Sequence, residues 1–174
     1  GAFSGSAGFT YQFTPGWNFK ANIGRGFRSP NISELSANGI HEGTFRYEIG
    51  NPALKPETSV QGDLGLAYNA AIISTELSVF YNLIDNFIYY RNLNDEKIYK
   101  GTTDEIPVYR YVQGQSLLKG FEFAFDLHPF EFLHVENSVS VVEGTNLILN
   151  KPLPFIPALH FRNECKWNIS VAKR

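Results

Sequence analysis

His41 and Glu42 stand side by side and, with His160, offer two imidazoles and a carboxylate, donor types that bind zinc. Zinc asks for three or four converging ligands, and adjacent residues rarely aim at one point, so solvated loop side chains are the plainer reading. A second group is Phe87, Ile88, Tyr89, Tyr90 and Arg91, followed by Tyr99, Tyr109, Arg110 and Tyr111. Rings beside guanidinium groups can stack on a planar catecholate, a haem or a sugar. Aromatic belts at a lipid–water boundary use the same residues without a ligand, and that reading is preferred. The candidate ligand contacts are therefore His41, Glu42, Tyr90, Arg91, Tyr109, Arg110 and His160, with no metal assigned. Arg28, Glu34, Glu48 and Glu57 flank turn residues and read as ion pairs that pin the backbone. His128 precedes Pro129 and reads as turn chemistry, whereas His134 reads as a wetted or hydrogen-bonded strand residue. No nucleophile–base pair or nucleotide motif appears, and Gly24-Arg25-Gly26 is too short to cradle a phosphate. We expect neither catalysis nor a cofactor.

The elements that carry these residues alternate in twos. From Val60 to Asn69 the even positions are Val60, Gly62, Leu64, Leu66 and Tyr68, against Gln61, Asp63, Gly65, Ala67 and Asn69. Successive side chains of a strand point to opposite faces, so one face is apolar and the other wet. Six more segments repeat the pattern, around Phe9–Phe13, Trp17–Ile23, Ile73–Leu83, Phe121–Leu127, Leu133–Val141 and Leu159–Ile169. In the last, the polar parity is His160, Arg162, Glu164, Lys166 and Asn168. A packed core would reject that row, and a water-filled lumen would accept it. The expected fold is all-β: an antiparallel up-and-down meander of about seven strands, part of a transmembrane β-barrel.

Composition sets limits. No apolar run approaches the roughly 20 residues of a membrane helix, whereas a barrel strand needs only about 9–11. Aromatic residues make up 15% of the chain, which suits interfacial girdles. A net charge of −2 gives no reason to expect a nucleic-acid partner. Cys165 is the lone cysteine, which excludes a disulfide framework and a cysteine metal cluster. No basic–apolar leader opens the chain, so any targeting segment is expected outside this stretch.

Connections come in two kinds. Pro15-Gly16, Asn69-Ala70-Ala71 and His128-Pro129 mark short turns. Between them lie long connections: Phe27 to Glu57, Asn92 to Pro107, and Gly144 to Pro157. Short turns on one rim and long loops on the other match the plan of outer-membrane barrels. Within the first long loop, Ser29 to Leu35 suits one helical turn capped by Asn31 or Ser33.

That loop carries the most distinctive text: Gly26, Phe27, Arg28, Ser29 and Pro30, then Glu34-Leu35, then Glu48 through Gly50, Asn51, Pro52, Ala53, Leu54, Lys55, Pro56 and Glu57. It resembles the "GFR-x-P…EL…GNP-x-L-x-PE" passage of TonB-dependent outer-membrane receptors. Val112-Gln113-Gly114 leading to Gly120-Phe121-Glu122, and Leu153-Pro154-Phe155-Ile156-Pro157, resemble two further passages of that family in the same order. The string Ala37 to Thr44 resembles a subset of such receptors, some of which handle zinc or haem. Together the matches cover Gly26 to about Trp167. Proline fixes its own φ and pushes the preceding residue to extended geometry, so the two proline passages read as chain-direction devices that deliver the strand from Thr58.

The resemblance implies a parent barrel of about 22 strands with a plug in its lumen. Residues 1–174 are expected to be part of that barrel, with plug, TonB box and C-terminal strands absent. It further implies location in the outer membrane of a Gram-negative bacterium, contact with lipid, and engagement of the TonB complex through the absent plug. The cargo would be a small scarce nutrient, a ferric siderophore or haem first and zinc next. Two other classes remain open to the sequence. A soluble β-barrel or sandwich would bind a small apolar ligand with its faces inverted, and an adhesin or passive porin would lack the plug. A piece of barrel leaves raw strand edges and a greasy face, so self-association is expected.

Overall fold

A computed structural model describes residues 3–99 and 105–168. Ile169 and the chain beyond it lie outside the described residues, as does the side chain of Tyr99. Seven long antiparallel strands form one open sheet: β1 (Gly5–Thr14), β2 (Trp17–Arg28), β5 (Glu57–Asn69), β6 (Ile73–Tyr99), β7 (Glu105–Phe130), β8 (Leu133–Asn146) and β10 (His160–Trp167). The short strands β3 (Asn38–His41), β4 (Arg46–Ile49) and β9 (Lys151–Pro152) belong to the loops, as does helix α1 (Ile32–Ser36). The expected meander is present.

Register turns the alternation into continuous rows. One row runs Tyr11, Phe19, Leu66, Leu77, Phe123, Val139 and Phe161 across all seven strands. The next runs Thr10, Lys20, Gly65, Ser78, Glu122, Ser140 and His160. The apolar rows are bare: Tyr11 is 60% exposed, Leu64 51% and Phe161 64%. Among the described residues no second layer covers them, and the soluble-carrier alternative, which required these residues to pack inside a closed unit, is not favoured.

The polar rows are cross-linked. Lys20 on β2 donates to Glu76 on β6 at 2.8 Å, and Gly65 and Ala67 on the intervening β5 are small enough to let it pass. Lys166 reaches Glu136 at 2.9 Å, and Asn22 donates to Asp63 at 3.2 Å. Gly120 lies directly under the Phe80 ring opposite, where a Cβ would sit 2.7 Å from the ring and 2.2 Å from the Val141 carbonyl.

Aromatics frame the bare band. At the short turns Phe13 and Trp17, Trp17 and Tyr68, Phe130 and Phe132, and Phe132 and Trp167 are in ring contact, with centroids 4.8–6.0 Å apart. At the other limit Lys119 pairs with Glu143 beside Tyr81. Between them β6 runs from Ile73 to Tyr81, within the roughly 9–11 residues of a barrel crossing. The first of the turns needs Gly16, whose φ of 83° belongs to the left-handed region and whose Cβ position lies 2.5 Å from the Asn69 carbonyl.

The second long connection differs from expectation. Asn92 to Pro107 is mostly hairpin, because β6 continues to Tyr99 and pairs Lys97, Ile98 and Tyr99 with Pro107, Ile106 and Glu105. Cross-strand pairing continues above the band here. The third loop is closed by β8 continuing to Asn146, which pairs with Lys151.

Candidate functional site

The long-loop rim gathers the motif residues of the first loop, with Gln113 and Phe155, into one knot. Arg28 ends β2 and faces Glu57, the first residue of β5, in register. Its Nε and Nη2 donate to the two Glu57 oxygens at 2.8 Å each, and Nη1 donates to both Glu34 oxygens at 2.9 Å. Two carboxylates, Glu57 first, raise the guanidinium's pKa further above its ordinary value. Both acids are buried and satisfied. Glu34 also accepts from the Asn31 backbone while Asn31 Oδ1 accepts from the Glu34 backbone, a reciprocal cap on α1. Glu57 also accepts from the Ile88 backbone at 2.6 Å, just beyond a bulge in β6.

The Gly50-Asn51-Pro52 passage seats on the end of α1. Gly50 donates to the Ala37 carbonyl and Asn51 to the Glu34 carbonyl. A Cβ on Gly50 would fall 2.5–2.7 Å from the backbone of residues 35–37, so only glycine fits. Leu54 then drops into a small core with Ile88 and Tyr111, covered by Leu35, Ala37 and Tyr90. Gln113 fastens the other side, accepting from the Lys55 backbone at 2.8 Å and donating to its carbonyl. Pro56 offers its carbonyl to Asn86. Gly26 and Phe27 extend β2 opposite Ser59 and Thr58, and Pro30 joins β2 to α1, half-buried; Pro52 stays exposed. Arg28, Glu34 and Glu57 thus pair with one another across the ends of the loop, and Glu48 pairs with Arg46.

A cation–aromatic box sits above the knot. Arg46 on β4 lies 4.0 Å from the centroid of Tyr90, 5.3 Å from Tyr109 and 5.9 Å from Phe155. It donates to Glu48 at 2.8 Å, and Tyr111 donates to the same carboxylate at 3.3 Å. Burial, then the hydrogen bond with Tyr90, pushes the Tyr111 phenol above its usual pKa. β4 pairs in parallel with β7 through Tyr47, Glu48 and Ile49, which carries the loop to the far edge of the upper hairpin. Tyr90 and Tyr111 are thus a packed core beneath a loop, and the lipid-belt reading of this group is corrected. The β6 bulge, three steps from Ile84 to Phe87 against two on β7, puts Tyr90 on the same side as Tyr111, and Leu35, Ala37 and Leu54 of the loop then cover both.

The other candidates are dispersed. Arg91 and Arg110 stand directly opposite one another in register, exposed and half-buried respectively. His41 is exposed at the end of β3 against Thr44, Glu42 is exposed in the following turn, and His160 opens β10 in a polar row. These three form no metal-binding group among the described residues, because adjacent loop side chains and a distant strand end do not converge. The group that does converge is Asp126, His128 and His134, which the sequence reading took as separate turn and strand residues. Arg46 and Phe155 were also missed; the one local signal was Arg46 and Glu48 on the same side of an extended segment.

Knot and sheet together decide the family question, because the profile described as "TonB dependent receptor-like, beta-barrel" matches residues 1–163. The chain belongs to the TonB-dependent receptor family. An iron-regulated outer membrane virulence protein of Vibrio cholerae serotype O1 is 32% identical over 73 residues, 41% of this chain and 11% of that protein. The vitamin B12 transporter BtuB of Vibrio vulnificus is 27% identical over 85 residues, 49% of this chain and 12% of that one. Among solved structures, the copper transporter OprC superposes with a TM-score of 0.77 at 18% identity, covering 96% of this chain and 24% of OprC. A ferric enterobactin receptor of Pseudomonas aeruginosa, PfeA, gives 0.71 at 22%, covering 96% and 26%. The structural likenesses establish the fold, and the chain spans about a quarter of those receptors. Family and neighbours are transport receptors.

Proposed function

We propose that this chain is barrel wall from an outer-membrane, TonB-coupled receptor that takes up a scarce nutrient, with a ferric siderophore as first choice and haem as second. The band of exposed apolar side chains would meet lipid, and the cross-linked polar rows would line the lumen. Plug, TonB box and the closing strands belong to the rest of the parent, so energy coupling lies outside residues 1–174. The names of the iron-regulated Vibrio relative and of PfeA support iron as the cargo.

The observation that carries the ligand class is the upper hairpin. Arg91 and Arg110 face each other across β6 and β7, while the neighbouring Tyr90–Tyr111 and Asn92–Tyr109 pairs turn to the other face. Like charges directly opposite repel, and an anion between them relieves that repulsion. An anionic chelate suits that pair of guanidinium groups better than a neutral one.

The test is uptake of radiolabelled iron by cells that depend on the complete receptor, offered as a ferric catecholate, as haem or with competing cobalamin or zinc. Catecholate-dependent uptake is expected. Replacing both Arg91 and Arg110 by alanine is expected to weaken binding about tenfold or more, the loss of charge-assisted contacts. Rescue by cobalamin or zinc alone, with iron complexes ignored, would overturn the assignment.

A further inference from the structure

The short-turn rim holds a cluster that the uptake reading leaves unused. Asp126 and His128 share the polar side near the end of β7, and His134 returns on β8 just after the turn. His128 Nε2 lies 3.0 Å from an Asp126 oxygen, and its Nδ1 lies 2.8 Å from Nδ1 of His134. One ligand atom from each of the three residues lies within 4.8 Å of the other two. We propose that Asp126, His128 and His134 form a binding site for a divalent transition metal of the zinc class, on the polar face at the short-turn rim.

The framework holding these side chains is stiff. A register shift between Leu127 and Phe130 carries His128 toward the β8 side, and its backbone donates to the Ile72 carbonyl of the neighbouring turn at 2.8 Å. Phe130 and Phe132 stack with planes 4° apart, and Phe132 packs on Trp167, which fixes the turn from the apolar side. The rings of His128 and His134 meet edge to face with centroids 4.5 Å apart.

Two imidazoles with facing Nδ1 atoms can share one proton, and then Asp126 orients His128 through Nε2–H. That arrangement leaves Asp126 Oδ1 buried without a hydrogen-bond partner. Glu136 stands opposite Asp126 in register, but its charge is answered by Lys166 at 2.9 Å, so Asp126 keeps its free oxygen for another partner. A divalent cation replaces the shared proton and takes up the idle carboxylate lone pairs. Two nitrogens and one oxygen are the donor set of zinc sites that keep a fourth position open. Metal–ligand bonds of roughly 2.0–2.2 Å would draw these atoms, which lie within 4.8 Å of one another, closer together. The site stands whichever nutrient is carried, because it lies at the opposite rim from Arg91 and Arg110.

The test uses the complete receptor in detergent, stripped with a chelator and titrated with ZnCl2 against a chromophoric competitor, then with Co²⁺ to read coordination from its visible absorption. Wild type is expected to bind one equivalent that H128N and H134N each lose or weaken at least about tenfold. H41N and H160N are expected to keep it. D126N is expected to weaken it and to change the Co²⁺ spectrum. Equal zinc stoichiometry and affinity in wild type, H128N and H134N would overturn the site. Should those variants fail to refold, as read by heat-modifiable gel mobility, wild type alone decides. Zn²⁺ is expected to protect both histidines from diethyl pyrocarbonate, and modification at the unprotected rate refutes the proposal.

Discussion

Arg28 shows how one side chain can close a loop of almost thirty residues. Three of its nitrogens satisfy four oxygens of two buried acids, and each acid also accepts a backbone N–H. Lysine cannot reproduce that fork, since its ammonium is a point charge without two flat faces of donors. Arg28→Ala leaves two buried carboxylates uncompensated and is expected to cost about 3–5 kcal/mol. Arg28→Lys is expected to recover only part of this. Urea unfolding of the receptor in detergent, with the double variant Arg28→Ala/Glu34→Gln closing a cycle, measures both the cost and the coupling. Gly50→Ala brings a Cβ against the α1 backbone and is expected to open the same loop, costing roughly 1–3 kcal/mol and exposing it to limited proteolysis. Tyr111 adds a pH signature. Its folded pKa is raised, so its contribution is complete below the unfolded value of about 10 and is lost as pH climbs through the folded one. An alkaline titration of tyrosinate absorbance is expected to show one phenol that ionises late in wild type and is missing in Tyr111→Phe.

Strands were legible from sequence because their period is two and their burial one-sided. Leu64 and Asp63 needed no structure to be placed on opposite faces. The same rule failed above Leu83, where one extra residue in β6 exchanges its faces and Asn86 takes a φ of 56°. The aromatics of a run such as Ile84 to Tyr90 suit a belt as well as a core, and what assigns Tyr90 to the core is the cover of Leu35, Ala37 and Leu54, which lie far from it in sequence. The Arg28 clamp was visible as charges beside prolines, whereas Arg46 became important only when β4 crossed to β7. Asp126 and His134 meet through a turn whose geometry no spacing reveals. Face assignment makes a sharp expectation at this scale. Leu64→Arg sits mid-band on the exposed apolar face and is expected to cost about 2–4 kcal/mol on refolding into lipid vesicles, while Gln61→Arg on the polar face costs little. Equal costs would sink the face assignment, and the opposite order would reverse it.

Taken whole, the sheet is an arc with two open sides. Among the described residues β1 pairs only with β2, and β10 only with β8, so each presents a row of backbone donors and acceptors with no strand beside it there. β1 is also bare along its length, with Phe9 and Tyr11 each 60% exposed. In the proposed parent barrel the next strands would cover both edges and lipid would cover the apolar rows. Residues 1–174 alone in water have neither, and the seven-strand apolar row is far larger than a monomer leaves exposed. Mixed-sign pairs such as Lys20 with Glu76 keep the other face soluble but contribute only about 0–1 kcal/mol each at such exposure. The isolated chain is therefore expected to associate edge to edge or through its apolar rows. Size-exclusion chromatography with light scattering in detergent-free buffer should give multimers, and detergent should disperse them. Because apolar contact and edge pairing are separable, Tyr11→Lys with Phe161→Lys should weaken association through the face, whereas a proline at Thr10 on the β1 edge should weaken it through pairing. A well-behaved monomer in plain buffer would mean that this arc satisfies its own edges, and the wall-of-a-larger-barrel reading would then lose its physical basis.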